Sequence, residues 1–142
     1  MSDLLEIKNL SVSFRTPQGE VEAVRDVSFS LHPGEVLAIV GESGCGKSVL
    51  CRSIMKLLPR NAWIKGGTIL ADGAEITRYS QRDMERLRGR LFSMVLQDPM
   101  TALDPTMTVG AQIAEAVRIH QPRMDRAAVR RRVLELLELV GI

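Results

Sequence analysis

Gly41-Glu42-Ser43-Gly44-Cys45-Gly46-Lys47-Ser48 matches the pattern GxxxxGK followed by Ser or Thr, the P-loop, which joins a strand to a helix and cradles phosphate. On its N-terminal side, Glu35-Val36-Leu37-Ala38-Ile39-Val40 is a short, almost continuously apolar run, the pattern of a strand buried on both faces of a parallel sheet. On its C-terminal side, residues 47–58 favour a helix that stops at Pro59. The expected context is therefore α/β. The glycines permit backbone angles that turn successive N–H groups inward, so that Gly41, Ser43, Gly44, Cys45 and Gly46 form a cradle for phosphate oxygens. The helix start adds its positive dipole end. Lys47 would reach the β and γ phosphates, and Ser48 would hold Mg²⁺. With background usage of roughly 7% for Gly, a chance match in a chain this long has a probability under about 1%, so nucleotide binding is the working expectation.

Upstream, Leu5 and Ile7, then Leu10, Val12 and Phe14, alternate with polar residues, and the parity switches near Asn9, which predicts a strand with a bulge. Thr16-Pro17-Gln18-Gly19 is turn chemistry, after which Val27, Phe29 and Leu31 predict a second, antiparallel strand that His32-Pro33-Gly34 breaks. Downstream, Gly66-Gly67 leads to Thr68-Ile69-Leu70-Ala71, with Asp72-Gly73 as a hairpin turn before Ala74-Glu75-Ile76. Ser80 with Asp83 predicts a capping box and a short helix ending at Gly89. Leu91 to Leu96 reads as another buried strand. Thr108 caps a predicted helix to Ile119, and Asp125 caps a last one in which Val129, Val133, Leu136, Leu137 and Val140 share a face.

The 142 residues allow one domain or part of one, and 45% hydrophobic with 25% charged residues is the profile of a folded globular chain. The 19 basic and 17 acidic residues leave a net charge of +2, which calls for no nucleic-acid partner. Arg118, Arg123, Arg126, Arg130, Arg131 and Arg132 gather late, in a helical stretch with few aromatics, and read as a solvated face. Cys45 and Cys51 fit neither a disulfide nor a zinc spacing, and His32 and His120 offer no matching pattern; free thiols point to a reducing compartment. No signal peptide or membrane-spanning run is evident, so the expectation is a cytoplasmic chain whose membrane role requires a partner.

Kinases, GTPases, helicases and transporters all carry a P-loop, so a second motif decides among them. Phe92-Ser93-Met94-Val95-Leu96-Gln97-Asp98-Pro99-Met100-Thr101-Ala102-Leu103-Asp104-Pro105 resembles the Q-loop of ABC ATPases, in the QDPMTSLNP-like form of peptide and nickel importer subunits. Ala102 and Asp104 depart from that form. The antiparallel N-terminal segment, the P-loop, the Gly66-Gly67-Thr68-Ile69 hairpin and the spacing to Gln97 are similar to the same family, so the resemblance covers the whole chain.

The resemblance implies an ATP-binding, energy-coupling importer subunit that takes ATP and Mg²⁺. Phe14 would stack on adenine, and Gln97 would act in catalysis by contacting Mg²⁺ or the attacking water. Its partners would be transmembrane permease subunits and a second ATPase subunit, at the cytoplasmic face of the inner membrane. It also implies a partial ABC nucleotide-binding domain. An antiparallel β segment would span 1–34, a P-loop core with a hairpin and part of a parallel sheet 35–97, and the Q-loop with the start of a helical subdomain 98–142. LSGGQ, a second acidic strand with its catalytic Glu, and a switch His are absent from these residues. The chain by itself is therefore expected to bind Mg-ATP without turning it over. The alternatives are a nucleotide-binding fragment with no further role and a small P-loop kinase, against which the Gln97 loop argues; the same run disfavours a non-transport ABC protein of DNA repair or translation.

Overall fold

The alternating residues after Leu4 form the longest hairpin of the chain, β1 (Leu5–Thr16) and β2 (Gly19–Leu31), joined through the Pro17-Gln18 turn. The Thr16 hydroxyl donates to the Gly19 carbonyl at 2.7 Å and closes it. β3 (Ala62–Ala71) pairs with the other side of β1, and a two-residue β4 (Ala74–Glu75) completes a sheet of order β2-β1-β3-β4, antiparallel throughout. The structure is a computed structural model that describes residues 3–96 and 102–142, and its compact units run to Phe92 and from Ser93 to Ile142.

The predicted bulge is present. Asn9 has φ 51°, and the ladder shifts register after Ile7 against β2 and after Lys8 against β3. Across from it Asp26 has φ 50°, and the two side chains meet at 2.7 Å, Asn9 Nδ2 donating to Asp26 Oδ1. Two N–H groups freed by the irregularity find hydroxyls: Asn9 N–H donates to Ser28 Oγ at 2.8 Å and Asp26 N–H to Ser11 Oγ at 3.0 Å. Each bond returns the freed donor to a partner within the sheet. On the β3 side the bulge requires glycine: a Cβ on Gly67, at φ 89°, would stand 2.4 Å from the Asn9 carbonyl oxygen and 2.5 Å from that of Lys8.

Above this sheet lie α1 (Lys47–Ile54) and α2 (Gln81–Leu87), with Ile7, Leu10, Val12, Leu50, Ile69 and Met84 in one buried cluster. The capping box at Ser80 and Asp83 forms as predicted, and the Ser80 hydroxyl and N–H hold the Asp83 carboxyl below its usual pKa. The second unit is a helical hairpin, α3 (Val109–His120) and α4 (Arg126–Leu139), capped by Thr108 and Asp125. Ala114, Val117, Val129 and Val133 are buried between them.

Several expectations are corrected. Glu35 to Val40 is not a buried strand: it pairs with nothing in the sheet, and Val36 and Val40 are 93% and 87% exposed. Leu91 to Leu96 is not one either. Leu91 and Phe92 pack on the core and Arg88 bridges Phe92 in parallel, but Val95 is 99% exposed. The parallel part of the core sheet is thus unformed among the described residues. An apolar run becomes a buried strand only where neighbouring strands take up its N–H and C=O groups, and none lies beside these two. α1 ends at Ile54, four residues short of Leu58, with Met55 as C-cap and Lys56 at φ 52°. β3 begins at Ala62, ahead of Thr68, and α2 ends at Leu87, ahead of Gly89. Val140 is the C-cap of α4 and is exposed instead of sharing its buried face.

Unpaired apolar backbone of this kind is adhesive. The isolated chain is expected to bind the dye ANS and to self-associate on size exclusion, and Val36→Lys combined with Val95→Lys should reduce both. A monodisperse chain that leaves ANS dark would show these runs to be covered.

Candidate nucleotide-binding site

Of the helices, α2, α3 and α4 start on a side-chain cap, from Ser80, Thr108 and Asp125, whereas α1 starts on Gly46, with no side-chain cap and no acidic residue in its first turn. Its leading N–H groups and positive dipole end are left available to an anion. Gly46 has φ 94°, and the position is closed to any larger residue, because a Cβ there would lie 2.4 Å from the Ala23 carbonyl oxygen of β2. The N-terminus of α1 therefore rests directly on β2 backbone. Leu50 and Ile54 on the next turns enter the core cluster that also holds Val12 and Val24.

Lys47 is turned into the loop. Its Nζ donates to the carbonyls of Gly41 at 2.8 Å and Glu42 at 2.5 Å, and stands 3.5 Å from Cys45 Sγ. The loop turns through Cys45 N–H to the Glu42 carbonyl at 3.4 Å. Gly44, at φ 81°, has open space where a Cβ would be, so it serves backbone conformation and not packing. Ser43 is exposed in the same turn, and Ser48 is exposed on the first turn of α1. These features fit a polyphosphate: a half-buried ammonium, an uncapped helix start and open loop backbone converge, and no carboxylate stands in the first turn of α1.

Phe14 sits in the central strand, flanked by Val21 of β2 and Ala62 of β3. It is half-buried and stands outside the apolar cluster, unlike Phe29 and Phe92, which pack against it. Val21 lies two residues along β2 from Ala23, so the strand that carries the helix start also flanks Phe14. Next to Phe14, the Arg15 guanidinium lies 6.0 Å from the Trp63 ring centroid. Gln97 lies outside the described residues. Cys45 and Cys51 are both free. The contact that sequence reading missed is the Ala23 carbonyl, since a backbone acceptor under a glycine has no side-chain signature; Gly46 inside the motif was the only hint.

In the second unit, Asp104 Oδ1 accepts from Thr106 Oγ1 at 2.6 Å and from its N–H at 2.8 Å, which holds the carboxyl below its usual pKa. Gln112 bonds the backbone of Asp104 through both its amide atoms. An open groove of about 390 Å³ runs beside them, lined by Leu103, Met107, Ile113 and Ile119 among others.

Gly46→Ala should cost well over the roughly 1 kcal/mol of a left-handed non-glycine residue, because its Cβ also collides with Ala23, while Gly44→Ala meets only the conformational term. Urea unfolding of both variants measures the difference. Equal midpoints would mean that α1 does not rest on β2.

Residues 24–142 match the protein family described as ABC transporter. The chain is 50% identical over 142 residues to the oligopeptide transport ATP-binding protein OppD of Mycobacterium tuberculosis, covering all of this chain and 23% of the relative. It is 52% identical over 143 residues to the dipeptide transport ATP-binding protein DppD of Bacillus subtilis, covering all of this chain and 42% of the relative. The chain thus spans less than half the length of these curated relatives. Among solved structures, the dimeric post-hydrolysis state of the ATP-binding cassette MJ0796 bound to ADP and Pi has a TM-score of 0.77 at 20% identity, over 97% of this chain and 57% of that one. That likeness establishes the fold.

Proposed function

This chain belongs to the ABC transporter family, and on that premise we propose that it is part of the ATP-binding, energy-coupling subunit of an importer for peptides or nickel-like substrates. The observation that carries the reading is the uncapped start of α1, with Lys47 Nζ turned into a glycine loop that rests on β2. The peptide class is supported by relatives named as oligopeptide and dipeptide transport ATP-binding proteins at about half identity. Family membership removes the small P-loop kinase.

Lys47 and the N–H groups of residues 43–48 bind and orient the phosphates; Lys47 would exchange the carbonyls of Gly41 and Glu42 for phosphate oxygens, a better acceptor for an ammonium. Ser48 and Gln97 would hold Mg²⁺, whose contribution there would be to neutralise phosphate charge. Phe14 offers a half-exposed ring to adenine, a contact that takes affinity from stacking. Hydrolysis belongs to the whole protein, paired with a second ATPase subunit. The antiparallel segment, P-loop core and Q-loop with helical start serve as its successive parts. The relatives' names as transport ATP-binding proteins support assigning the subunit to the cytoplasmic membrane face through permease partners; among the described residues no helix is long and apolar enough to cross a membrane. The groove at Leu103, Met107 and Ile119 offers such a partner an apolar contact.

Lys47→Ala should weaken fluorescent ATP by roughly 1.5–3 kcal/mol, the worth of one charge-assisted bond. Phe14→Ala should weaken ATP by about 1–3 kcal/mol, the worth of one base stack, and leave inorganic pyrophosphate nearly unaffected. An unchanged dissociation constant for Lys47→Ala would remove the P-loop as the site, and equal losses of both ligands in Phe14→Ala would return that ring to a packing role.

A further inference from the structure

The far end of the helix that starts the phosphate site is held by a closed set of polar contacts. The half-buried Arg88 donates through Nη2 to the Met55 carbonyl at 2.8 Å and the Lys56 carbonyl at 3.2 Å, and through Nε to Met55 again at 3.3 Å. Met55 is the C-cap of α1, so a guanidinium sits on the carbonyls at the helix's negative end. Gln81 closes the ring: its Oε1 accepts from Arg88 at 2.9 Å and its Nε2 donates to the Lys56 carbonyl at 3.1 Å. Lys56 returns the contact, donating to the carbonyls of Thr77 at 2.7 Å and Tyr79 at 2.5 Å. Arg88 is further fixed in its own segment, since its N–H donates to the Met84 carbonyl, and Gly89 N–H to the Phe92 carbonyl at 2.7 Å.

The short helix α1, eight residues long, thus offers phosphate-binding groups at one end and is clasped at the other to the segment 77–92, which runs on in sequence toward Gln97. A structural helix end needs only a glycine or water to satisfy its carbonyls. Here a planar fork instead binds carbonyls 32 and 33 positions away in sequence, and an amide one that is 25 away. We propose that Arg88 is a positioning residue for the nucleotide site: it makes α1 and the segment 77–92 move as one body, so that occupancy at Lys47 and Ser48 is transmitted to the stretch leading to Gln97. This rests on the nucleotide site proposed above.

Hydrogen exchange on the full chain, with and without saturating Mg-ATP, tests it. In the wild type, Mg-ATP should slow amide exchange across residues 77–92 by roughly tenfold, about the worth of one well-made hydrogen bond. Arg88→Ala should still bind fluorescent Mg-ATP while losing that protection. Arg88→Lys keeps the charge without the fork and should lose at least half of it. If Arg88→Ala has lost its helical circular dichroism, Arg88→Lys decides by the same criterion. Full ligand-induced protection in the folded variant would reduce the clasp to a structural fastening and overturn the proposal. Wild type that binds Mg-ATP with no change at 77–92 overturns it while leaving the nucleotide site standing, and wild type that fails to bind removes both.

Discussion

The site depends on one close approach, Gly46 against the Ala23 carbonyl. It lets the first turn of α1 lie on the backbone of β2 with no side chain between, while Leu50 and Ile54 sink into the cluster beneath. The helix is too short to be stable by propensity alone; it persists because the sheet receives its apolar face. Its N-terminus is left without a side-chain cap, a deficit that three other helices of the described residues avoid. That deficit is what the proposed phosphate site would use.

A second constraint lies within the sheet. The bulge at Asn9, matched by Asp26 and accommodated by Gly67, changes the parity of β1 in mid-strand. Because side chains alternate along a strand, one inserted residue reverses the face taken by all that follow. Leu5 and Ile7 before the bulge and Leu10 and Val12 after it therefore enter the same apolar cluster, whereas Phe14, past a further register shift at Val12 and Ser13, stays outside it. The irregularity that looks like a defect in the ladder thus keeps the apolar residues of both halves of β1 on the core.

Features carried by local chemistry were legible in the sequence. The switch in alternation at Asn9 announced the bulge, Asp72-Gly73 the hairpin, and Ser80, Thr108 and Asp125 the helix starts. The glycine motif was found with its helix, although the helix proved shorter. Features that need a distant partner were not. Val36 to Val40 and Leu91 to Leu96 carry the composition of buried strands, but composition names no neighbour, and apart from the single bridge of Phe92 to Arg88 these runs lie outside the sheet. The start of β3 at Ala62 was hidden because Trp63 and Ile64 precede a lysine and two glycines, and only pairing with Ser13 and Val12 makes them strand. The Arg88 clasp was equally invisible, since the acceptors it reaches on α1's end are backbone carbonyls.

The central claim, that the glycine loop and the start of α1 form a phosphate cradle seated on β2, is tested most directly by amide NMR during titration with Mg-ATP. The largest shifts should fall on the N–H groups of residues 43–48, with a smaller response at Ala23 and Val24, which lie beneath Gly46. Saturable shifts confined to other residues, or none in the loop at millimolar nucleotide, would contradict it.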